Sequence, residues 1–311
     1  MSEPAAVTAP VVVEAPVATP WLPLLAAALA AASFVGMDTL IKLISPRYDA
    51  LQLTFFRFAS GSLFALALWL WRRTPMPAGT AAWRMHGLRC GLLLISLVSY
   101  FHALTQLPLA QAVSISYLSP IFVSLLAVLV LHERPSRWIW LALSLGLAGV
   151  AVTVWPELSA SRAAAEGTPG QARETARLWG IASAALSTVA FSGVMILARH
   201  QAQRDSLWTI LLLQNLLPAA LLLVPALLSW RPMAVADLGP ILLAGVFATV
   251  GLLSLTWAFT HLEASRVAPL EYSSFVWAAL LGFAVFGEVP SASTAVSALL
   301  IVSGCLLLLR R

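Results

Sequence analysis

The stretch ALTQLPLAQAVSISYLSPIFVSLLAVLVLHERPS, residues 103–136, occurs a second time in this chain in altered form. The second copy is AFTHLEASRVAPLEYSSFVWAALLGFAVFGEVPS, residues 258–291, and the two align without a gap at an offset of 155 residues. Two apolar helices share Leu and Ala by chance, but they do not readily share polar residues, prolines and glycines in register. The shared residues of this kind are Thr105/Thr260, Tyr117/Tyr272, Ser119/Ser274, Glu133/Glu288, Pro135/Pro290, Ser136/Ser291 and Gly149/Gly304.

The helices before this stretch also match a later part of the chain, at an offset of 157 residues. The matching pairs are Phe34/Phe191, Gly36/Gly193, Lys42/Arg199 and Arg47/Arg204. We therefore divide the chain into a first five-helix repeat, residues 21–155, and a second, residues 178–311, joined by a polar linker at 156–177. Residues 1–20 contain four prolines and no Lys or Arg, which predicts a disordered tail rather than a signal peptide.

The composition identifies the class of protein. Hydrophobic residues make up 60% of the 311 residues and charged residues only 10%, with a mean hydropathy of +0.89. Soluble domains carry about 25% charged residues, so this chain cannot cover a water-facing surface. A spanning helix needs about 20 apolar residues, and ten blocks approach that length. Their approximate bounds are 21–42, 52–71, 88–105, 108–131, 137–155, 178–198, 207–229, 239–260, 264–286 and 293–309.

The lengths of these blocks and their number decide the architecture. Strands of a membrane barrel are about ten residues long and alternate in polarity, whereas these blocks are longer and do not alternate. Because five crossings is an odd number, the second repeat enters the membrane inverted relative to the first. Inverted repeats are typical of secondary transporters, whose site lies at the repeat interface near the membrane midplane. The sequence therefore predicts an all-α integral membrane protein with ten transmembrane helices in two inverted five-helix repeats around a central cavity.

The loops differ in their content of Lys and Arg, and the richer loops face the cytoplasm. With the N-terminus inside, the cytoplasmic side holds the larger set: Arg72, Arg73, Arg84, Arg89, Arg134, Arg137, Arg199, Arg204, Arg266, Arg310 and Arg311. The opposite side holds Lys42, Arg47, Arg162, Arg173, Arg177 and Arg231. We expect a multi-pass protein of the inner (plasma) membrane with both termini cytoplasmic. The net charge of +5 then reports orientation, and no nucleic-acid binding is expected.

Each repeat contains a helix with a shared Tyr, a Glu-x-Pro turn (HERPS at 132–136, GEVPS at 287–291) and a last helix with Gly. This arrangement resembles the EamA group of the drug/metabolite transporter superfamily over residues 21–309. The stretches MDTLIKLIS, TFFRF and LRCGLLLISLVSYFHAL look most like members that carry S-adenosylmethionine, riboflavin and related metabolites. The resemblance implies a ten-helix fold with a central cavity lined notably by the fourth and ninth helices, and transport of small metabolites, often outward.

Glu271 is the leading candidate for the site. It lies seven residues into the predicted ninth span, about 10 Å below the start of that helix at 1.5 Å per residue. Ionisable residues at such a depth usually face a cavity or a partner and mark a transport pathway. A single carboxylate there can bind a substrate amine or carry a coupling proton. The alternatives are a protonated carboxyl hydrogen-bonded to a helix neighbour, or a ninth helix that starts later than residue 264. The counterpart in the first repeat is Ser116, so the site is asymmetric.

Other residues are candidates for the cavity wall. His102 is titratable, lies well inside the third span and corresponds to Trp257 in the second repeat; a packed, satisfied histidine is the equal alternative. Aromatic faces can stack on a ring or a cation, although interhelical packing is the commoner use of any one such residue. The aromatic candidates are Tyr100, Tyr117, Tyr272, Trp257 and Trp277.

Three charged residues are candidates for gating or coupling. Asp38 and Lys42 are spaced i, i+4 on the first helix and face one another, which indicates either a mutually neutralised pair or an outer gate. Arg57 in the second span can pair with Asp38, a lipid phosphate or an anionic substrate group.

Glu133 and Glu288 lie on opposite membrane faces, so we expect each to fix its own loop. Prolines within the spans are candidate hinges because they interrupt helical hydrogen bonds, namely Pro120, Pro218 and Pro269.

These observations predict a secondary transporter that moves a small polar metabolite, such as an amino acid, S-adenosylmethionine or a vitamin, by alternating access. We expect an exporter, with proton coupling and exchange both open. A channel and a membrane-embedded enzyme are the alternative classes; G-x-S-x-G, H-E-x-x-H and Walker A motifs are lacking, so an enzyme is not expected. No cofactor or metal is expected. The expected partners are the metabolite and membrane lipid, with the protein a monomer or a loose homodimer.

Overall fold

The computed structural model describes residues 21–77, 79–107, 112, 115–165, 171–228, 230–287, 289 and 292–308. Their regular structure is entirely helical, without a strand in this part of the chain. Ten main helices follow one another: α1 (Leu22–Ile44), α2 (Ala50–Arg72), α3 (Thr80–Gln106), α4 (Ser119–Val130), α5 (Arg137–Ala165), α6 (Gln171–Ala202), α7 (Leu207–Leu228), α8 (Leu238–His261), α9 (Ser273–Phe286) and α10 (Ala292–Leu307). The predicted all-α membrane fold with two five-helix repeats is confirmed.

Six helical segments in the described ranges combine the length and hydropathy that a membrane crossing requires. One of them, Ala264–Phe286, consists of the short turn Ala264–Val267, a 3₁₀ segment Ala268–Tyr272 and α9; we call it the ninth span. Shorter apolar helices make up α4, the first part of α5 and α10. The predicted tail 1–20, Glu288 and the start of the predicted fourth span at 108–111 lie outside the described residues.

Three helices extend beyond their predicted ends. Helix α3 begins at Thr80 rather than at residue 88, α5 continues to Ala165, and α6 begins at Gln171. The polar linker is therefore helical on both sides of residues 166–170. Its Ala, Glu and Arg residues are good helix formers, so leaving the apolar region does not end the helix. Hydropathy detects the membrane boundary rather than the end of the helix.

The most extensive helix contacts join the two repeats to each other. Helix α1 packs on α8 and α3 packs on α6; because α1 corresponds to α6 and α3 to α8, these are one contact made twice. Helices α2 and α7 pack together, as do α5 and α10, and each of these is a contact between a helix and its own counterpart. This pattern is that of two repeats related by a pseudo-two-fold axis, which an inverted repeat requires.

Glycines at these contacts show the same symmetry in detail. A Cβ added to Gly149 on α5 would lie 2.9 Å from the Ser297 carbonyl oxygen, and one added to Gly304 on α10 would lie 3.0 Å from the Ala142 carbonyl oxygen. Since Ala142 and Ser297 are themselves counterparts, the two close approaches are equivalent. Helices α5 and α10 therefore cross backbone to backbone, at a distance that only glycine permits.

Polar contacts hold the helix ends together on both faces. On one face the Gln52 side chain donates to the Arg231 carbonyl at 2.7 Å, and on the other the Thr209 hydroxyl donates to the Pro75 carbonyl at 3.0 Å. Gln52 and Thr209 are repeat counterparts. The Tyr48 hydroxyl also donates to Asp237 at 2.7 Å, and this hydrogen bond raises the pKa of the Tyr48 phenol. Both faces are thus tied across the repeat boundary.

Candidate functional site

The ninth span is interrupted near its start. Pro269 stands at the start of the 3₁₀ segment Ala268–Tyr272, where its missing N–H prevents a regular α-helical hydrogen bond. Glu271 lies inside this segment, and its carbonyl accepts a hydrogen bond from the Ser274 hydroxyl at 2.6 Å. Mid-helix 3₁₀ geometry often marks a functional hinge, and discontinuous helices carry the substrate site in many inverted-repeat transporters.

The expected hinges differ from one another. Pro120 is placed at the first turn of α4, where its missing N–H costs nothing. Pro218 lies inside α7, which continues as one helix past it. Among the three, Pro269 alone coincides with a change of helix type in the described part of the chain.

The Glu271 side chain is half-buried and points to the first repeat. The Ser119 hydroxyl at the start of α4 donates to Glu271 Oε2 at 3.5 Å, the outer limit of a hydrogen bond. The carbonyl of Ser119 in turn accepts from the Ser192 hydroxyl on α6 at 3.3 Å. Glu271 is therefore connected to α4 directly and to α6 through one residue. Ser274, the counterpart of Ser119, bonds within its own helix instead.

The two shared tyrosines meet at the same place but are not equivalent. The Tyr272 hydroxyl donates to the Tyr117 carbonyl at 3.1 Å, and the two rings lie 6.5 Å apart. Tyr272 is only 1% exposed, and a Cβ on Gly146 would lie 2.2 Å from its ring. The Tyr272 ring therefore fills the space over Gly146, and its place in the cavity wall stays a prediction. Tyr117 is half-buried.

His102 and Trp257 do not join this cluster. On α3, His102 is exposed and lies on the face that also exposes Leu88, Ile95 and Val98. On α8, Trp257 lies on the face that exposes Leu243, Val246 and Val250, and its ring packs 4.5 Å from that of His261. Both residues sit on the face of their helix that carries exposed apolar side chains. Their place in the cavity wall stays a prediction.

The remaining aromatic and hydroxyl candidates take intermediate positions. Tyr100 packs half-buried against Ala103 and Ala184 between α3 and α6. The Ser116 hydroxyl is half-buried and donates to the Ala112 carbonyl at 3.1 Å. Trp277 on α9 is 38% exposed. Among these three, Tyr100 and Ser116 lie between helices, as a pathway requires.

The gating candidates lie on the first two helices. Asp38 is exposed in the last third of α1 and interacts electrostatically with Arg57 of α2. The Lys42 ammonium lies 4.2 Å from the centre of the Phe286 ring at the end of α9. A cation over an aromatic ring is attracted by the ring quadrupole. Lys42 therefore links α1 to the ninth span, in addition to its predicted proximity to Asp38.

Glu133, which is expected to fix the loop after the fourth helix, also binds the other repeat through its carboxylate. It accepts hydrogen bonds from the backbone N–H groups of Ala264 at 2.8 Å and Ser265 at 3.0 Å, the first residues of the ninth span. The Arg199 Nε lies 3.8 Å from Glu133 Oε1, and Arg199 also donates to the Phe259 carbonyl. The repeated Glu of the Glu-x-Pro turn and the paired cations Lys42/Arg199 were the sequence signal for this contact.

A cavity of about 320 Å³ opens beside this contact, lined among others by His132, Glu133, Arg199, His200, Gln203 and Glu263. The Gln203 side chain donates to the Phe259 carbonyl at 2.8 Å. The end of α8 is thus held by two side chains of α6, and the start of the ninth span by one side chain after α4. We call Glu133, Arg199 and the backbone groups that they bind the Glu133 lock.

Arg89 is a second charged residue whose position was missed, since it was counted as a loop cation. It is 3% exposed between α3 and α6, and its Nη1 donates to Gln201 Oε1 at 2.8 Å. Its Nε and the Gln201 Nε2 find no hydrogen-bond partner among the described residues. One turn earlier, His86 contacts Asp205 at 3.1 Å. The helical spacing of Arg89 from the residues of α3 that pack on other helices was the available signal in the sequence.

The four polar residues His86, Arg89, Gln201 and Asp205 have apolar or aromatic residues as their counterparts in the other repeat. In the same order, these counterparts are Ile241, Ala244, Ile44 and Tyr48. Ile241, Ile44 and Tyr48 form one hydrophobic cluster on the opposite face. The same helix crossing is therefore polar at one end of the molecule and largely apolar at the other. The two repeats share a backbone arrangement but not the chemistry of its ends.

The EamA-like transporter family matches this chain over residues 21–155 and again over residues 178–310. The pseudopaline exporter CntI of Pseudomonas aeruginosa is 31% identical over 290 residues, covering 92% of this chain and 95% of the relative. The S-adenosylmethionine uptake transporter of Rickettsia prowazekii is 24% identical, covering 88% and 87%. A riboflavin transporter of Rhizobium johnstonii is 28% identical, covering 93% and 90%. A solved crystal structure superposes with a TM-score of 0.71 at 23% identity, covering 90% of this chain and 94% of its own.

Proposed function

We propose, since this chain belongs to the EamA-like transporter family, that it is a secondary transporter of a small polar metabolite. It works by alternating access between the two membrane faces. Proteins similar to it are metabolite transporters by name, and catalytic motifs are lacking in its sequence. The single observation that carries the proposal is the set of equivalent contacts α1–α8 and α6–α3, because exchanging two such conformations moves the site from one face to the other.

The substrate pathway passes the break in the ninth span. Glu271 supplies a carboxylate there, close to Ser119 and to the half-buried Tyr117. Asp38 and Arg57 supply charges of both signs on the first two helices. Glu271 either binds a cationic group of the substrate or carries the coupling proton. Tyr100 and Ser116 supply hydroxyls along the same pathway.

The substrate class follows from the relatives and from these charges. An amino acid, S-adenosylmethionine or a vitamin fits a site with isolated charges of both signs, and pseudopaline, which the name of the Pseudomonas relative gives, belongs in the same screen. We propose export as the direction, across the bacterial inner membrane, with both termini in the cytoplasm. The excess of Arg in the loops on that side supports this orientation.

Counterflow in proteoliposomes tests the proposal. Purified protein is reconstituted into vesicles loaded with one candidate metabolite, chosen by thermal-shift screening, and uptake of the labelled metabolite is followed. A carrier gives saturable uptake that is stimulated by substrate on the opposite side. A channel gives flux that does not saturate and shows no stimulation by exchange, and this result would overturn the proposal. Protein-free vesicles provide the background.

A further inference from the structure

Repeat counterparts on α4 and α9 differ in burial. Val123 is 1% exposed and Ser124 is fully buried, whereas their counterparts Ala278 and Ala279 are exposed and half-buried. Position 123 is therefore sealed on α4, whereas its counterpart, position 278, is open on α9.

The sealed face is also where the most extensive hydrophobic cluster lies. It brings together residues from the end of α4, the end of α8 and the start of the ninth span, among them Val123, Ala127, Leu262, Ala264 and Leu270. The Glu133 lock lies at the outer edge of this cluster. Its carboxylate is 7% exposed and accepts two backbone hydrogen bonds, which are strong because the acceptor is charged.

We propose that Glu133 is a positioning residue that holds the ninth span against α4 and thereby keeps this face of the carrier closed. This inference rests on the proposed alternating-access function. Besides the Tyr272–Tyr117 hydrogen bond, the ninth span makes two polar contacts with the fourth helix region, Ser119 with Glu271 and Glu133 with Ala264 and Ser265. Loss of the Glu133 contact with Ala264 and Ser265 frees the start of the ninth span, and the 3₁₀ segment acts as the hinge.

The Glu133 lock determines which of the two states of the ninth span is favoured. When the Glu133 carboxylate dissociates from its partners, three groups lose the acceptor that they share. These groups are the backbone N–H groups of Ala264 and Ser265 and the Arg199 guanidinium. Water in the adjacent 320 Å³ cavity can then solvate all three. The closed state is stabilised by the lock, and the opposite state by hydration of its parts. Glu271, seven residues along, changes the face to which it is exposed.

Paired cysteine reporters test the inference without reference to transport. In a background with Cys90 and Cys305 replaced by Ala, Val123→Cys and Ala278→Cys report on counterpart positions of the two faces. Their rates of reaction with a water-soluble methanethiosulfonate are measured in detergent. With Glu133 intact, we expect fast labelling at 278 and slow labelling at 123. Glu133→Gln should raise the rate at 123 about tenfold and lower that at 278, since a charge-assisted hydrogen bond is lost.

The matched control is Glu263→Gln, an exposed carboxylate at the same cavity, whose side chain does not cap the first turn of the ninth span in the described part of the chain. It should leave both rates unchanged. Glu133→Asp keeps the charge and should give an intermediate rate at 123. Unchanged rates in folded Glu133→Gln protein would overturn the inference, and so would equal increases at both positions, which indicate general loosening. Altered rates without saturable exchange would instead keep the lock and refute the proposed transport.

Discussion

Glu271 and Arg89 are both charged residues inside the helical bundle, but their surroundings differ. Glu271 lies at a helix break, half-buried, with a weak contact to Ser119. Arg89 lies in a continuous helix, fully enclosed, with one amide partner and one unpartnered nitrogen among the described residues. A charge at a break can change its partner during a transport cycle. A charge within a tight helix contact is a cost that the packing around it must offset.

Glu271→Gln should lower the maximal rate of counterflow by about tenfold or more, because an amide can neither carry a proton nor pair with a cation as a carboxylate does. Any dependence of the rate on pH should disappear in the same variant. Expression and thermal stability should stay close to those of the parent protein. Initial rates from pH 5 to pH 8 check this, and parent-like uptake across that range would contradict a role in binding or coupling.

Replacing Gln201 should be more harmful than replacing Arg89. Gln201→Leu removes the Arg89 partner and leaves a buried cation without one, which should cost about 1–3 kcal/mol. Arg89→Met removes the charge and leaves only the neutral Gln201 amide without its partner, so it should cost less than a buried cation left without one. Thermal unfolding followed by tryptophan fluorescence measures both. The double variant should recover most of the loss, and the opposite ranking would refute this view of Arg89.

The sequence predicted well which individual side chains are unusual for a membrane helix. It predicted less well the direction in which those side chains point. The position of Glu271 at an interrupted segment follows from Pro269, a local signal. The outward position of His102 needed only the helical period, since it shares a face with Leu88, Ile95 and Val98. The burial of Tyr272 depends on Gly146, which is distant in sequence. Residues that rely on such a partner cannot be placed from one sequence.

Among the elements, α5 and α10 make the contact that is most dependent on small residues. Their crossing point brings Gly149 and Gly304 to the backbone carbonyls of Ser297 and Ala142. Backbone atoms cannot rotate away as the end of a side chain can. Close backbone approach of this kind is a common basis of helix association in membranes. The two glycines therefore fix how the last helices of the two repeats join.

Gly149→Ala and Gly304→Ala should destabilise the protein to a similar extent, about 1–3 kcal/mol each, because their added Cβ atoms meet equivalent carbonyl oxygens. Gly87→Ala on α3 is the control, since a Cβ there meets nothing within 4 Å and should stabilise the helix by up to about 1 kcal/mol. Thermal unfolding in detergent compares the three. A large difference between the two counterparts would argue against the equivalence of the crossing.

Helix existence was predictable from hydropathy, whereas helix ends were not. The apolar blocks identify the membrane crossings, but α3 and α6 begin in polar sequence, at Thr80 and Gln171. Polar helix formers extend a helix into water at little cost. The interruption within the ninth span was indicated by proline, while the contact between Glu133 and the next repeat depends on tertiary packing. Local signals therefore fix the elements, and the repeat fixes their arrangement.

For the whole molecule, orientation in the membrane is the next property to establish. Ser45→Cys, exposed after α1, and Arg204→Cys, exposed after α6, lie at opposite faces of the bundle in the inverted arrangement. In the background lacking native cysteines, a membrane-impermeant maleimide should label Ser45→Cys in intact cells. Arg204→Cys should be labelled only after the cells are permeabilised. The reverse pattern would place both termini outside and contradict the distribution of Arg.

The interlocked contacts of the two repeats also constrain how the protein is made. The principal partners of α1 and α3 are α8 and α6, which leave the ribosome after the whole first repeat has entered the membrane. The first repeat must therefore wait in the lipid with its small-residue and polar faces, Arg89 among them, not yet covered. During this interval it depends on the insertion machinery, water or lipid headgroups for protection. Biogenesis of this membrane protein is thus a late, concerted assembly rather than the folding of one half followed by the other.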